Sequence, residues 1–172
     1  MNSTKRPALN ELPEAYRGYV AELAEGDIVL TLAVAWTETK ALLRGLSEEQ
    51  AQHPYQEGKW SIKEILVHLM DSERIFVSRA LRFARGDATE LLGFDQDHYV
   101  AHCKAGIRTL AELIEEFQWM RGGHLRFWRG LPEAAWQRRG IANGCEFTVA
   151  AIAWIIAGHE HHHRRIIQER YL

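Results

Sequence analysis

Residues 60–87 read "WSIKEILVHLMDSERIFVSRALRFARGD", and the fold follows from how this stretch starts and what it repeats. Ser61 and Glu64 stand at capping-box spacing: the serine hydroxyl can accept an orphan backbone N–H of the first turn while the glutamate reaches back to the cap. Ile62, Ile65, Leu69, Phe76 and Phe83 then fall on one side of a helix that ends near Gly86. With about 100° per residue, His68 has Glu64 at about -40°, Ser72 at about 40°, Ile75 at about -20° and Arg79 at about 20°. The apolar stripe is centred near 80° to 100° from it, so His68 borders the core on a polar strip. A helix this long with one apolar face needs other helices to cover it.

The flanking sequence supplies them. Pro13 suits an early helical position, and "EAYRGYVAELAE" follows as a short helix with apolar positions at 16, 19, 20 and 23. Asp27 can cap "IVLTLAVAWTETKALLRGL", a helix running to about Leu46. Residues 47–60 form a connection holding Pro54 and Gly58. After a second connection, with Asp95 or Asp97 as cap, a helical pattern extends from about His98 to Arg129, weakened at Gly106 and at Gly122-Gly123. "EAAWQRRGIANGCEF" reads as an irregular link with a short turn at "EAAW". Thr148 can cap the last helix. No strand pattern of convincing length is present, and the four prolines, at 7, 13, 54 and 132, stand at element ends or outside them. The expected fold is all-α: a single domain over 1–172, built as a four-helix bundle with an extra short N-terminal helix and no sheet. Connections of about 10 to 18 residues leave crossover topologies open.

Composition narrows the function. Hydrophobic residues are 47% and charged residues 26% of the chain, a globular balance that needs no disulfide or structural metal for its core. The net charge of -2 is spread rather than clustered, which argues against a nucleic-acid partner. No apolar run approaches the roughly 20 residues of a membrane span, and the N-terminus has no secretory apolar region, so a cytoplasmic protein is expected. Cys103 and Cys145 stand apart without a CxxC pattern and read as reduced, packed thiols.

Chemistry concentrates in "GHEHHHRRII", residues 158–167. The interrupted cluster continues in helical register, unlike a purification tag. From His159, Ile152 lies at about 20°, Ile156 at about 60° and His163 at about 40°, so both histidines continue the buried face. His162, at about -60°, sits at its edge, and His161, at about 200°, points outward. Spacing i, i+4 stacks two imidazoles as a shared ion requires. The run "HEHHH" lacks the rest of a zincin signature. A metal centre needs at least a third ligand, for which His68 is the best candidate. On spacing alone, ordinary hydrogen-bonded histidines and a pH switch stay open beside a metal site.

Residues 55–87, together with "GFDQDHYV" and "TVAAIAWIIAGHEHHHRRII", resemble the DinB-like superfamily of four-helix-bundle metalloproteins from about Asp27 onward. The most specific elements are the "W-S" helix start with a histidine mid-helix and the final G-H-E-x-H-H. The resemblance implies a divalent metal, zinc or nickel, held by His68, His159 and His163, with coordination positions left open. It also implies a metal-dependent enzyme of thiol S-transferase type, joining a small-molecule thiol to an electrophile, or a related hydrolase. The alternative is a non-catalytic metal-binding stress-response module. Glu64, Asp71, Glu73 and Arg79 are candidates for contacts behind the metal or with substrate, or else a solvated helix face. Glu160 is a candidate general base. A homodimer is expected from the pairing common in such bundles. Neutral imidazoles are needed to hold the metal, so occupancy is expected to fall below about pH 6.

Overall fold

The computed structural model describes residues 4–172. The capping box at Ser61 is formed: Ser61 Oγ accepts from the Glu64 N–H at 3.2 Å, and the Glu64 carboxylate accepts from the Ser61 N–H at 2.7 Å. It opens the long helix α4 (Ile62–Ala84), which follows α1 (Glu14–Ala21), α2 (Ile28–Arg44) and a short α3 (Glu48–Gln52). Asp27 caps α2 by accepting from Val29 and Leu30 N–H groups. Further on come α5 (Gln96–His102), α6 (Leu110–Arg129), α7 (Glu133–Trp136), strands β1 (Arg139–Ala142) and β2 (Cys145–Thr148), and α8 (Val149–Arg170), capped by Thr148.

The bundle consists of α2, α4, α6 and α8. Both α8 and α6 pack against α2 and α4, so α2 faces α4 and α6 faces α8 across the bundle, while α4 and its successor α6 lie side by side. Cross-contacts give the directions. Tyr171 donates to the Trp60 carbonyl while His163 and His159 meet His68, which makes α8 antiparallel to α4. Lys63 bonds the Arg108 carbonyl and Glu73 bonds Arg121, which makes α6 parallel to α4. The extra helix α1 lies on α8.

Three expectations need correction. The pattern from His98 to Arg129 is two helices, because Lys104 takes a left-handed conformation (φ 49°) and Thr109 starts α6 with a capping box to Glu112. Gly106 falls in the 3-10 turn between them, whereas Gly122 and Gly123 stay inside α6. The connection 47–60 contains α3, nucleated by a Ser47–Gln50 capping box. A sheet also exists: β1 and β2 form an antiparallel hairpin that pairs Ala142 with Cys145. Its two-residue turn is Asn143-Gly144, both at positive φ (52° and 69°), the backbone that a tight hairpin requires and that these two residue types accept most readily.

The core has two apolar halves. One gathers Phe76, Phe83, Trp128, Phe147 and Trp154, the other Trp36, Leu66, Met70, Phe117 and Ile167. Between them lies a layer of buried polar groups: His68, Ser72 and Glu73 on α4, Arg121 on α6, and His159, Glu160 and His163 on α8. Arg121 is its centre. Its guanidinium donates to Glu73 at 2.9 and 2.8 Å, to Glu160 at 2.7 Å and to the Leu32 carbonyl of α2 at 2.7 Å, so one side chain ties all the bundle helices. Burial alone would raise the Glu73 pKa, but Arg121 and a hydrogen bond from His124 bring it down to about 2.

Arg121→Met is therefore expected to cost about 3–5 kcal/mol, because it strands two buried carboxylates. Urea unfolding at neutral pH measures this. The stabilisation that Glu73 draws from the network is fully present above the normal glutamate range and is lost as pH falls towards about 2. Two glycines should respond in opposite directions. A Cβ on Gly158 would sit 2.5 Å from the Tyr19 carbonyl oxygen of α1, whereas one on Gly122 meets nothing within 4 Å. Gly158→Ala should destabilise by about 1–3 kcal/mol, and Gly122→Ala should stabilise by about 0.5–1 kcal/mol.

Candidate metal centre

The antiparallel pairing of α4 and α8 brings His68 opposite the i, i+4 pair His159 and His163. All three are buried. His68 Nε2 lies 3.0 Å from His159 Nε2, and His163 Nε2 lies 3.1 Å from the same atom. Ligand atoms of the three residues lie within 4.8 Å of one another. Three imidazoles bound about 2.0–2.1 Å from one ion would hold their nitrogens about 3.0 Å apart at right angles, or about 3.3 Å apart at tetrahedral angles. The separations of 3.0 and 3.1 Å from His159 Nε2 match that range.

Hydrogen bonding alone serves this cluster poorly. A ring nitrogen of a neutral imidazole either carries one proton or offers one lone pair. His159 Nε2 faces two other ring nitrogens, so it can satisfy one of them and not both. His163 Nδ1 is also buried without a partner. Electrostatics keeps the rings neutral. Burial lowers the His68 pKa to about 4 against a small opposing pull from Asp97. Burial, reinforced by His68 and His162, lowers His163 to about 3, and burial takes His159 well below its ordinary value. Neutral rings with converging nitrogens are the protonation state and the donor set that a divalent ion requires, and the residues fit one.

Aromatic rings wall the cluster. Trp60 lies 4.8 Å from the His68 ring and stacks on His163 at 6.3 Å, while Tyr19 lies 5.5 Å from His159. A cavity opens on each side. One, of about 140 Å³, is bordered by His159 and by Tyr16, Ser72 and Arg79. The other, of about 280 Å³, is bordered by His163 and by Trp60, Asp97 and Tyr171.

The other sequence candidates separate. His161 turns outward to Arg164 and Glu22, and His162 packs on Tyr19. Glu64 is engaged at the α4 cap, and Asp71 pairs with Arg74 near the surface. Glu73 is fully inside the Arg121 network and is no solvated face. Glu160 is bound there too, which removes it as a free general base, although its Oε1 is left without a partner beside a void of about 10 Å³. Arg79 is buried and borders the smaller cavity. Cys103 and Cys145 are half-buried free thiols, and neither borders the two cavities. Arg121, Trp60, Tyr19 and Asp97 were not singled out as site residues from the sequence. Asp97 had a signal: Asp95 takes the α5 cap, which frees Asp97 for the cavity. Arg121 had none, because its partners are 39 and 48 positions away.

The sequence matches the DinB superfamily over residues 31–167. A search of curated proteins finds no match. Among solved structures the chain is similar to YfiT from Bacillus subtilis, described as a probable metal-dependent hydrolase with an unusual four-helix bundle topology. The two share 18% identity with a TM-score of 0.74, over 83% of this chain and 82% of that one, a likeness of fold. By the extent of the family match, which takes in all four bundle helices and His68, His159 and His163, the chain belongs to the DinB superfamily.

Proposed function

We propose that the protein is a divalent-metal-dependent enzyme acting on a small molecule, with His68, His159 and His163 as the metal ligands. The observation that carries this reading is the convergence of three neutral, buried ring nitrogens that cannot all satisfy one another. His68, His159 and His163 would hold a divalent ion, which would supply a nucleophile at neutral pH by lowering the pKa of water or a thiol. Three nitrogen ligands leave room for it, as in catalytic rather than structural zinc sites. Trp60 and Tyr19 restrict bulk water around the ligands. Asp97 is the carboxylate bordering the larger cavity and would be the acceptor for a proton released there.

The family resemblance favours a low-molecular-weight thiol as the nucleophile. The description of YfiT favours water and hydrolysis as a second reading. Both differ from a non-catalytic module, in which metal would serve only to hold the fold. The apolar halves and the Arg121 network hold this bundle without it, so chelation should remove the ion and leave the far-UV circular dichroism spectrum intact. Imidazole suits zinc and nickel alike.

Elemental analysis of untagged protein is expected to find about one divalent ion per chain. His68→Ala, His159→Ala and His163→Ala should each lose it, and His161→Ala and His162→Ala should keep it. Full metal in all of the first three variants would sink the reading. The pH dependence has a definite sign. Because burial lowers the three imidazoles, the folded protein resists protonation until about pH 4, below the pH 6 expected for exposed histidines. The unfolded rings protonate first, so metal-free protein should lose stability as pH falls from the ordinary histidine range towards about 4, measured by thermal melts at stepped pH.

A further inference from the structure

We propose that Arg79 is the recognition residue for a carboxylate carried by the small molecule that reaches the histidine centre, so that the substrate or co-substrate is a short-chain acid. This rests on the metal-centre reading only for what lies at the far end of the cavity.

Two buried arginines in this bundle have opposite surroundings. Arg121 meets two carboxylates. Arg79, 4% exposed, meets none within ion-pair distance among the described residues. Its contacts are one hydrogen bond from Nη2 to the Leu92 carbonyl at 3.0 Å and the face of Phe76, 5.4 Å from the guanidinium carbon. A guanidinium has five N–H donors in a planar fork, and taking it out of water without a counterion is costly. Desolvation accordingly pushes its pKa down. A fold that needed only to fill this position would place an apolar side chain there.

The cation faces a cavity built to receive something. Arg79 and His159 border the same space of about 140 Å³. Tyr16, Ser72, Gln96 and Asn143 supply its other polar walls, and no carboxylate borders it. One guanidinium balances one charge and matches the two oxygens of a carboxylate, whereas a phosphate dianion would be left half neutralised. At about 30 Å³ per water molecule, the volume admits an acid of roughly two to four carbons. The wall is fixed from outside. Leu91 donates to Ile141 and its carbonyl accepts from Asn143, so the hairpin clamps the segment whose next carbonyl, that of Leu92, holds Arg79. Gly93 allows this closeness, since a Cβ there would lie 2.4 Å from Asn143 Oδ1.

The test is calorimetric titration of propionate and of neutral, isosteric propionamide into metal-loaded protein, chelator-stripped protein, Arg79→Gln and Arg79→Lys. Metal content is assayed in each sample. The expected result is binding of propionate, with propionamide weaker by about tenfold or more. Stripping should leave most of the propionate affinity, and Arg79→Gln should remove about tenfold or more of it at unchanged metal content. Arg79→Lys, which keeps charge but loses the fork, should fall between. A melting temperature of Arg79→Gln equal to or above that of the parent also supports recognition over scaffolding, because the buried cation has no counterion to lose. Equal binding of acid and amide, or none of either, overturns the proposal without any variant. Propionate binding that vanishes on stripping yet survives Arg79→Gln also overturns it, by placing the carboxylate on the metal. Arg79-dependent binding in protein that never holds metal would instead overturn the metal reading and leave this site standing.

Discussion

One guanidinium holds the molecule in register. Arg121 reaches two carboxylates and a backbone carbonyl on three different helices from a fourth, at a depth where an unmatched charge cannot persist. Hydrophobic burial can bring helices together at many axial offsets, because apolar contacts are non-directional. A planar fork with fixed donors cannot be served at any other offset. Sliding α8 by one turn would leave Glu160 behind, and sliding α4 would leave Glu73. The histidine cluster sits within about one and a half helical turns of these carboxylates, so its geometry is inherited from theirs.

That inheritance explains why the site can be buried and still polar. Glu160 and His159 are adjacent in sequence but turn to different partners, one to the arginine and the other to the two histidines. Gly158 completes the run: with no side chain, it lets α1 press its Tyr19 backbone onto α8, and the Tyr19 ring then covers His159. Three consecutive residues, Gly158, His159 and Glu160, thus serve packing, the histidine cluster and registry in turn.

The sequence was legible where the signal is local. Capping boxes, apolar stripes and the i, i+4 histidine pair are short-range patterns, and they located the long helices, most of their ends and His68, His159 and His163. The hairpin escaped because its strands are four residues each and show no extended alternation, although Asn143-Gly144 carried the turn chemistry. The break before α6 escaped because helical periodicity continued across it, and the Thr109–Glu112 cap was the stronger signal. Arg121 could not be distinguished from any other basic residue on a helix, since its role exists only once three distant segments converge. The same holds for Arg79, whose meaning lies in the carboxylate that is missing beside it.

The chain order of the helices sets when the centre can exist. His68 and His159 are 91 positions apart, and α8 follows the three other bundle helices in the chain. As the chain is synthesised, α4 presents a lone imidazole, and Arg121 finds only one of its two carboxylates. Both shortages end in the same event, the docking of α8. A metal ion cannot then act as a seed for this fold in the way it does for a zinc finger. On the proposed reading it would arrive as a test of completion, retained only by chains whose last helix has seated in the correct register.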